Sequence, residues 1–125
     1  MARFYLCEHC KNLIGMVAHK GVPLVCCGSK MKALEPNTTD AAGEKHLPVV
    51  KVEGREIKVT VGSVSHPMTE EHFIQWIYLE TKSGGQRKNL SPDSAPEVSF
   101  SLTEDDEAIS VYAYCNLHGL WKTDI

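Results

Sequence analysis

The chain has 125 residues, 42% of them hydrophobic, which suffices for one ordinary domain or a domain of about 90 residues with a small appendage. Its 13 basic and 16 acidic residues give a net charge of −3, which argues against binding nucleic acid or anionic membranes through bulk charge. No apolar stretch approaches the roughly 20 residues that span a bilayer, and the N-terminus lacks the apolar core of a signal peptide. We therefore expect a cytoplasmic protein whose cysteines are thiols or metal ligands rather than disulfides.

The first segment of the chain, residues 1–36, contains four of the five cysteines and few apolar runs. So small a segment cannot bury enough surface to fold on its own core, and a bound metal is the usual remedy. The pattern predicts short strands at Phe4–Leu6 and Leu13–Val17. Residues 35–40 are polar and helix-breaking, so we place a domain boundary there and predict a second domain over residues 37–125.

The second segment has the periodicity of β-structure. Ile57, Val59 and Val61 alternate with Lys58 and Thr60, as in a half-buried strand. Further apolar or alternating runs lie at 49–52, 73–79, 98–102 and 109–113. Residues 81–87 are read as a loop. Several short strands with no long amphipathic helix predict a mainly β protein, built as an antiparallel sandwich or barrel.

The four N-terminal cysteines form a pattern of their own. Cys7 and Cys10 make a C-x-x-C pair, and after 15 intervening residues the adjacent pair Cys26 and Cys27 follows. Four thiolates in so short a segment indicate a closed tetrahedral site for zinc or iron. A structural zinc ribbon is one alternative, although adjacent cysteines should distort the tetrahedron. A vicinal disulfide is another, disfavoured in a reducing compartment.

A second candidate site begins with Cys115 and His118, which are close enough in sequence to reach one metal ion. They follow an apolar run that reads as a strand able to hold them rigidly. His46, His66 and His72 are predicted at strand ends or in loops, where a β scaffold displays functional groups. Each histidine alone is more simply a surface or hydrogen-bonded residue, and only the combination indicates a metal site.

Five elements occur along the chain in a fixed order. They are Cys7-x-x-Cys10 with Cys26-Cys27, Glu44-Lys45-His46, Gly62-Ser63-Val64-Ser65-His66-Pro67-Met68, Glu71-His72 and Cys115-Asn116-Leu117-His118-Gly119-Leu120-Trp121-Lys122. Together they resemble the desulfoferrodoxin family, the two-iron class of superoxide reductase. The resemblance spans essentially the whole chain.

This resemblance implies a fold and two iron ions. Residues 1–36 would form a desulforedoxin-like domain that holds one iron through Cys7, Cys10, Cys26 and Cys27. Residues 37–125 would form an immunoglobulin-like antiparallel β-sandwich with a second, mononuclear iron. The ligands of that iron would be four equatorial histidines and one axial cysteine, namely His46, His66, His72, His118 and Cys115.

The resemblance also implies an activity, the one-electron reduction of superoxide to hydrogen peroxide. A rubredoxin-like protein would donate the electrons, and the protein would be a homodimer in the cytoplasm of an anaerobic or microaerophilic microbe. The first iron would either relay electrons or only stabilise the fold.

The same resemblance gives roles to residues near the second iron. Lys45 would attract the superoxide anion, and Glu44 would occupy the sixth position of the oxidised iron; without the resemblance both read as solvated charges. Asn116 and the backbone of Leu117 and His118 would donate hydrogen bonds to the Cys115 sulfur. Trp121 would pack in the core near the site.

Three other classes of function stay open at this point. One is an electron-transfer protein in which both irons only pass electrons, which an open coordination position argues against. Another is a zinc-stabilised binding module without catalysis. A superoxide dismutase is chemically close but releases oxygen, whereas a reductase consumes reductant.

Overall fold

A computed structural model describes residues 2–125, which fall into two compact units, one ending at Glu35 and the other spanning Pro36–Ile125. All strand pairs described in this range are antiparallel. Within the described residues, no helix has the length and apolar character needed to cross a membrane.

The first unit contains five short strands: β1 (Phe4–Leu6), β2 (Leu13–Gly15), β3 (Val25–Cys26), β4 (Ser29–Lys30) and β5 (Lys32–Ala33). Strands β2, β1 and β5 form one small sheet, and β3 pairs with β4. Among residues 2–35 only Phe4 and Cys7 are buried, at 6% and 3% exposure. Two buried side chains contribute at most about 6 kcal/mol, which is too little to offset the entropy lost in ordering this unit. Its stability therefore depends on a metal ion or another link that joins its cysteines.

The second unit begins with a one-turn helix and continues as seven strands. They are α1 (Gly43–His46), β6 (Pro48–Glu53), β7 (Glu56–Val61), β8 (Ile74–Thr81), β9 (Gly84–Asn89), β10 (Glu97–Ser101), β11 (Ala108–Cys115) and β12 (Gly119–Asp124). The strands form a three-stranded sheet in the order β10-β7-β6 and a four-stranded sheet in the order β12-β11-β8-β9.

The two sheets of this unit pack face to face around one hydrophobic core. Alternate residues of β7 point inward, and Ile57, Val59 and Val61 are at most 1% exposed. From the facing sheet, Leu79 and Val111 are among the residues that complete the same cluster. Each such side chain contributes about 1.5–3 kcal/mol through burial. The predicted mainly β fold with an antiparallel sandwich is confirmed.

The prediction of a loop over residues 81–87 is wrong. Strand β9 starts at Gly84 and pairs with β8 from Thr81 back to Trp76. A Cβ at Gly85 would lie 2.0 Å from the hydroxyl oxygen of Tyr78, so the tyrosine can lie across β9 only because residue 85 is glycine. The Gln86 side-chain amide of β9 donates a hydrogen bond to the Ser101 carbonyl of β10 (2.9 Å). This bond joins β9 to a strand of the three-stranded sheet.

Strand β11 carries the cysteine of the second candidate site. A register shift against β8 lies between Ala108 and Ser110, and Ile109 within it is 43% exposed although it belongs to the apolar run 109–113. A second shift lies between Tyr114 and Cys115, the last residue of the strand. Cys115 is fully buried and belongs to the core cluster, so the strand end presents its sulfur from a rigid base.

Candidate metal centres

The four N-terminal cysteines lie together. The sulfur atoms of Cys7, Cys10, Cys26 and Cys27 all lie within 4.8 Å of one another. The Cys10–Cys26 and Cys26–Cys27 sulfur pairs are 3.6 and 4.0 Å apart. A tetrahedral site with metal–sulfur bonds of about 2.3 Å has sulfurs about 3.8 Å apart. All four are free thiols, so the adjacent pair forms no vicinal disulfide.

Hydrogen bonds to these sulfurs favour negative charge on them. The backbone N–H of Cys10 donates to Cys7 Sγ (3.5 Å), and the backbone N–H of Asn12 donates to Cys10 Sγ (3.5 Å). The Cys10 backbone bond is the main cause that lowers the pKa of Cys7 to about 6. By contrast, a hydrogen bond with the Cys10 side chain raises the pKa of Cys27 to about 12. Four thiolates this close require a cation between them, and the residues therefore fit a metal ion.

The second candidate site is a ring of four imidazoles. Neighbouring ring centroids lie 4.7 Å apart for His46–His66 and for His66–His72, 5.0 Å for His72–His118 and 4.8 Å for His46–His118. Neighbours are nearly perpendicular, with interplanar angles of 76–90°. His46 and His72 face each other across the ring at 6.3 Å. The four histidines thus surround one common centre.

The hydrogen bonds of the ring nitrogens show which atoms face that centre. His46 donates from Nδ1 to the Ala42 carbonyl (2.7 Å), and His66 donates from Nδ1 to the Pro67 carbonyl (2.6 Å). Their Nε2 atoms then carry the lone pair that can bind a metal. The Nε2 atoms of His66 and His72 are buried and lack any hydrogen-bond partner among the described residues. Buried polar atoms are rarely left unpaired, and a metal ion at the centre would satisfy both.

Cys115 completes this site. Its sulfur lies within 4.8 Å of the ligand atoms of His46, His66 and His72, and 3.9 Å from Nδ1 of His118. Burial raises the pKa of the Cys115 thiol, and hydrogen bonds from the backbone N–H groups of Leu117 and His118 act in the opposite direction. These N–H groups stabilise the sulfur as a thiolate, as expected of a metal ligand.

The histidines are in the protonation state that a metal needs. Burial lowers the pKa of His46 and His72, and it lowers the pKa of His66 to about 4. All three are therefore neutral near pH 7, with a lone pair available. Nitrogen donors with one thiolate suit a redox-active ion such as iron, whereas a structural zinc site would need only four ligands. The donor set thus fits iron.

Helix α1 holds the two charged residues that the sequence singles out. Glu44 and Lys45 are both exposed. Burial is the main cause that lowers the pKa of His46 and His72, and the positive charge of Lys45 is a smaller one. The Lys45 charge therefore acts electrostatically on two of the four imidazoles. The backbone of α1 is fixed by the turn that follows β7, where the Val64 N–H donates to the Glu44 carbonyl (2.9 Å).

Trp121 packs beside the site, as predicted. It is 4% exposed, and its ring stacks on His46 at 5.0 Å with an interplanar angle of 24°. Its indole Nε1–H donates to the carbonyl of His118 (3.1 Å). One buried side chain therefore supports two of the four imidazoles.

The side chain of Asn116 differs from its predicted role. It donates no hydrogen bond to the Cys115 sulfur, because its amide is used elsewhere: Nδ2 donates to the Glu71 carbonyl (2.9 Å), and Oδ1 accepts from the Phe73 N–H (3.0 Å). Sequence reasoning also missed the carbonyls of Ala42 and Pro67. A backbone carbonyl exists at every position, so no residue type could mark these two.

Comparison with known proteins identifies the family. The Desulfoferrodoxin family profile matches residues 38–124. Desulfoferrodoxins from Nitratidesulfovibrio vulgaris and Syntrophotalea carbinolica are 44% and 47% identical, in each case over 96% of this chain and 94% of theirs. The crystal structure of the superoxide reductase from Treponema pallidum is similar with a TM-score of 0.83 and 47% identity, covering 99% of both chains. The resemblance drawn from the motifs is confirmed, and the chain belongs to the desulfoferrodoxin family.

Proposed function

We propose that the protein is a superoxide reductase, in which superoxide, one electron and two protons give hydrogen peroxide. The observation that carries the proposal is the closed ring of four imidazoles with the Cys115 sulfur beside it. Iron bound there would supply the electron and a coordination position for superoxide. The ligands would be His46, His66, His72, His118 and Cys115.

Two features of the chain would serve this reaction directly. Superoxide is an anion and the chain has a net charge of −3, so a local cation is needed to attract it. Lys45, exposed and with a charge felt by His46 and His72, is suited to that task. Its exposure also brings water, the source of the two protons, to the same place. The Cys115 thiolate, held by two backbone N–H groups, would donate electron density to the metal.

Glu44 would close the site between turnovers. Its carboxylate is a hard anionic ligand, suited to an oxidised iron when no superoxide is bound. The Val64 N–H and the Ser63 hydroxyl both donate to its carbonyl, at 2.9 and 3.3 Å, so its backbone is fixed while its side chain is exposed. The Glu44 carboxylate could therefore approach and leave the iron by rotation of its side chain alone.

The four N-terminal cysteines would hold a second iron, in a domain of residues 1–36 that precedes a catalytic domain of residues 37–125. The physiological donor would be a rubredoxin-like protein, and the enzyme would act as a homodimer in the cytoplasm. The names of the relatives support the activity. Superoxide reductases from Treponema pallidum and from Pyrococcus horikoshii are 47% and 35% identical to this chain.

The proposal is tested by generating a pulse of superoxide over the fully reduced two-iron protein under anaerobic conditions. We expect the histidine-ligated iron to be oxidised and one peroxide to appear per superoxide consumed, without release of oxygen. Release of oxygen would instead indicate a dismutase. A protein whose second iron stays reduced while superoxide survives would be an electron carrier or a structural module.

A further inference from the structure

The four histidines differ in the hydrogen bonds that hold them in place. His46 and His66 are each fixed through the ring nitrogen that faces away from the centre, by hydrogen bonds to the carbonyls of Ala42 and Pro67. His118 is fixed through its carbonyl, which accepts from Trp121. For His72, no hydrogen bond in the described part of the chain joins either ring nitrogen to a group outside the ring of imidazoles. Its hydrogen bonds to groups outside the ring of imidazoles are therefore made by its backbone.

The backbone around His72 is bound by one side chain. The amide of Asn116 donates to the carbonyl of Glu71, the residue before His72, and accepts from the N–H of Phe73, the residue after it. The backbone N–H of Asn116 also donates to the Phe73 carbonyl (3.3 Å). Asn116 thus spans His72 with three hydrogen bonds, at distances of 2.9–3.3 Å.

Asn116 itself lies between two members of the site. It directly follows Cys115 and stands two residues before His118. The opposite side of His72 is tied only to its own loop, where its N–H donates to the Thr69 carbonyl (3.2 Å) and its carbonyl accepts from the Thr69 N–H (3.0 Å). The segment of Cys115 and His118 meets this loop through the pairing of β11 with β8, through the backbone N–H of Asn116 and through the Asn116 side chain, and the side chain alone bonds to the residue on each side of His72.

We infer that Asn116 is a positioning residue, whose side-chain amide holds His72 at the correct place relative to Cys115 and His118. A primary amide suits this task because it offers a donor and an acceptor side by side, matching a carbonyl and an N–H two residues apart. The inference rests on the proposed metal site. It concerns how that site holds its metal, and metal retention can be measured without measuring superoxide reduction.

The chain offers a matched control. The amide of Asn37 also bridges backbone groups: Nδ2 donates to the Lys122 carbonyl (3.1 Å), and Oδ1 accepts from the Lys122 N–H (2.8 Å). Lys122 is not a member of either cysteine or histidine cluster. Asn37 has a positive φ of 63°, so Asn37→Ala adds backbone strain to the two lost bonds. It therefore removes the same kind of side-chain bridge as Asn116→Ala, away from the candidate site.

The test is a competition for iron between a chelator and the two-iron protein. In Asn116→Ala we expect the second site to lose iron at a chelator concentration about 10- to 100-fold lower than in the unsubstituted protein. The four-cysteine iron serves as the internal reference and is retained equally. The thiolate-to-iron absorption of the oxidised protein should also shift, since the ligand opposite to His46 has moved. In Asn37→Ala both readouts stay unchanged.

Wild-type retention and absorption in Asn116→Ala, or equal weakening in Asn37→Ala, would overturn the inference. If Asn116→Ala does not fold, Asn116→Asp decides by the same criteria. The aspartate keeps the acceptor for Phe73 and loses the donor to Glu71, while its negative charge alone would tighten binding of a cation. Weaker iron retention in that variant therefore reports a displaced His72, and tighter or unchanged retention contradicts the inference.

Discussion

His46 and His118 are 72 positions apart in the chain, yet Nε2 of His46 lies 3.0 Å from Nδ1 of His118. Because His46 carries its proton on Nδ1, bound to Ala42, the proton in this contact belongs to His118. A metal at the centre needs both lone pairs. Metal binding therefore requires His118 to carry its proton on Nε2, while His46 and His66 keep theirs on Nδ1.

Replacement of Cys115 by serine removes the sulfur donor while keeping nearly the same shape. We expect the rate of superoxide reduction to fall on the order of 100-fold or more, equivalent to about 2.7 kcal/mol in activation free energy. The reason is that a neutral hydroxyl cannot supply the electron density of a thiolate. Pulse generation of superoxide measures this rate, and a fast reaction in the serine variant would remove Cys115 from its proposed role.

Replacement of Lys45 by isoleucine tests the attraction of superoxide. The second-order rate constant should fall roughly tenfold at low ionic strength, and its dependence on salt should become flatter, because steering by a local charge is screened by ions. Lys45→Arg keeps the charge and should keep the rate. Lys82→Ile removes an exposed lysine elsewhere and is the control for net charge. Equal effects at positions 45 and 82 would mean that only the total charge matters.

Gly62 is the residue that allows α1 to lie close to the end of β7. It has a φ of +84°, and a Cβ there would lie 2.4 Å from the Val64 carbonyl oxygen and 2.7 Å from that of Lys45. Gly62→Ala should lower the free energy of unfolding by about 2–4 kcal/mol, from backbone strain and overlap together. It should also slow the reaction with superoxide, since Lys45 is displaced.

The control for this substitution is Gly54→Ala. Gly54 also has a positive φ, of 61°, but a Cβ there meets nothing within 4 Å. This variant should lose only about 1–2 kcal/mol from backbone strain. Urea unfolding followed by tryptophan fluorescence measures both. Equal losses at the two positions would show that α1 can move away without cost.

Tyr112 should make the protein less stable at alkaline pH. Burial, followed by its hydrogen bond to Glu80 (3.0 Å), raises the pKa of Tyr112. Its phenol therefore stays protonated in the folded state while the unfolded chain ionises near pH 10. The contribution to stability is fully present below about pH 10 and is lost as the pH rises toward the folded pKa.

Tyr112→Phe removes this dependence. The slope of the free energy of unfolding against pH above about pH 10 should be reduced by at most about 1.4 kcal/mol per pH unit. Near pH 7 the variant should lose about 1 kcal/mol, for one hydrogen bond. Urea titrations at a series of pH values provide the measurement. A slope unchanged by the substitution would assign the alkaline sensitivity to Tyr78 or Tyr114, whose pKa values burial also raises.

The strands that could be predicted from the sequence are those whose inward and outward positions differ in character. Strand β7 is such a case, because Ile57, Val59 and Val61 alternate with polar residues. Strand β9 has the sequence Gly-Gly-Gln-Arg-Lys-Asn, with no apolar residue to alternate. It exists because it forms a hairpin with β8 and because the Gln86 amide donates to the Ser101 carbonyl of β10, and neither interaction leaves an alternating pattern in the strand itself.

The sequence predicts which residues form the candidate site better than it predicts the hydrogen bonds that hold those residues in place. Cysteine and histidine are rare and chemically distinctive, so their spacing carries information. The amide of Asn116 has the same composition whether it contacts the adjacent sulfur or a loop more than 40 residues away. Its partners depend on which segments the fold brings close to it, and these are the backbone groups of Glu71 and Phe73.

The two metal centres also differ in how far apart their ligands lie along the chain. The four cysteines fall within residues 7–27, whereas the histidine ring reaches from His46 to His118, which lies beyond the last residue of β11. The first site closes a short loop and can bind metal while synthesis is still in progress. The second can form only after nearly the whole chain has left the ribosome and the two sheets have packed. Iron at the histidine ring would therefore mark a completed fold, and a truncated or misfolded chain would carry no reactive iron there.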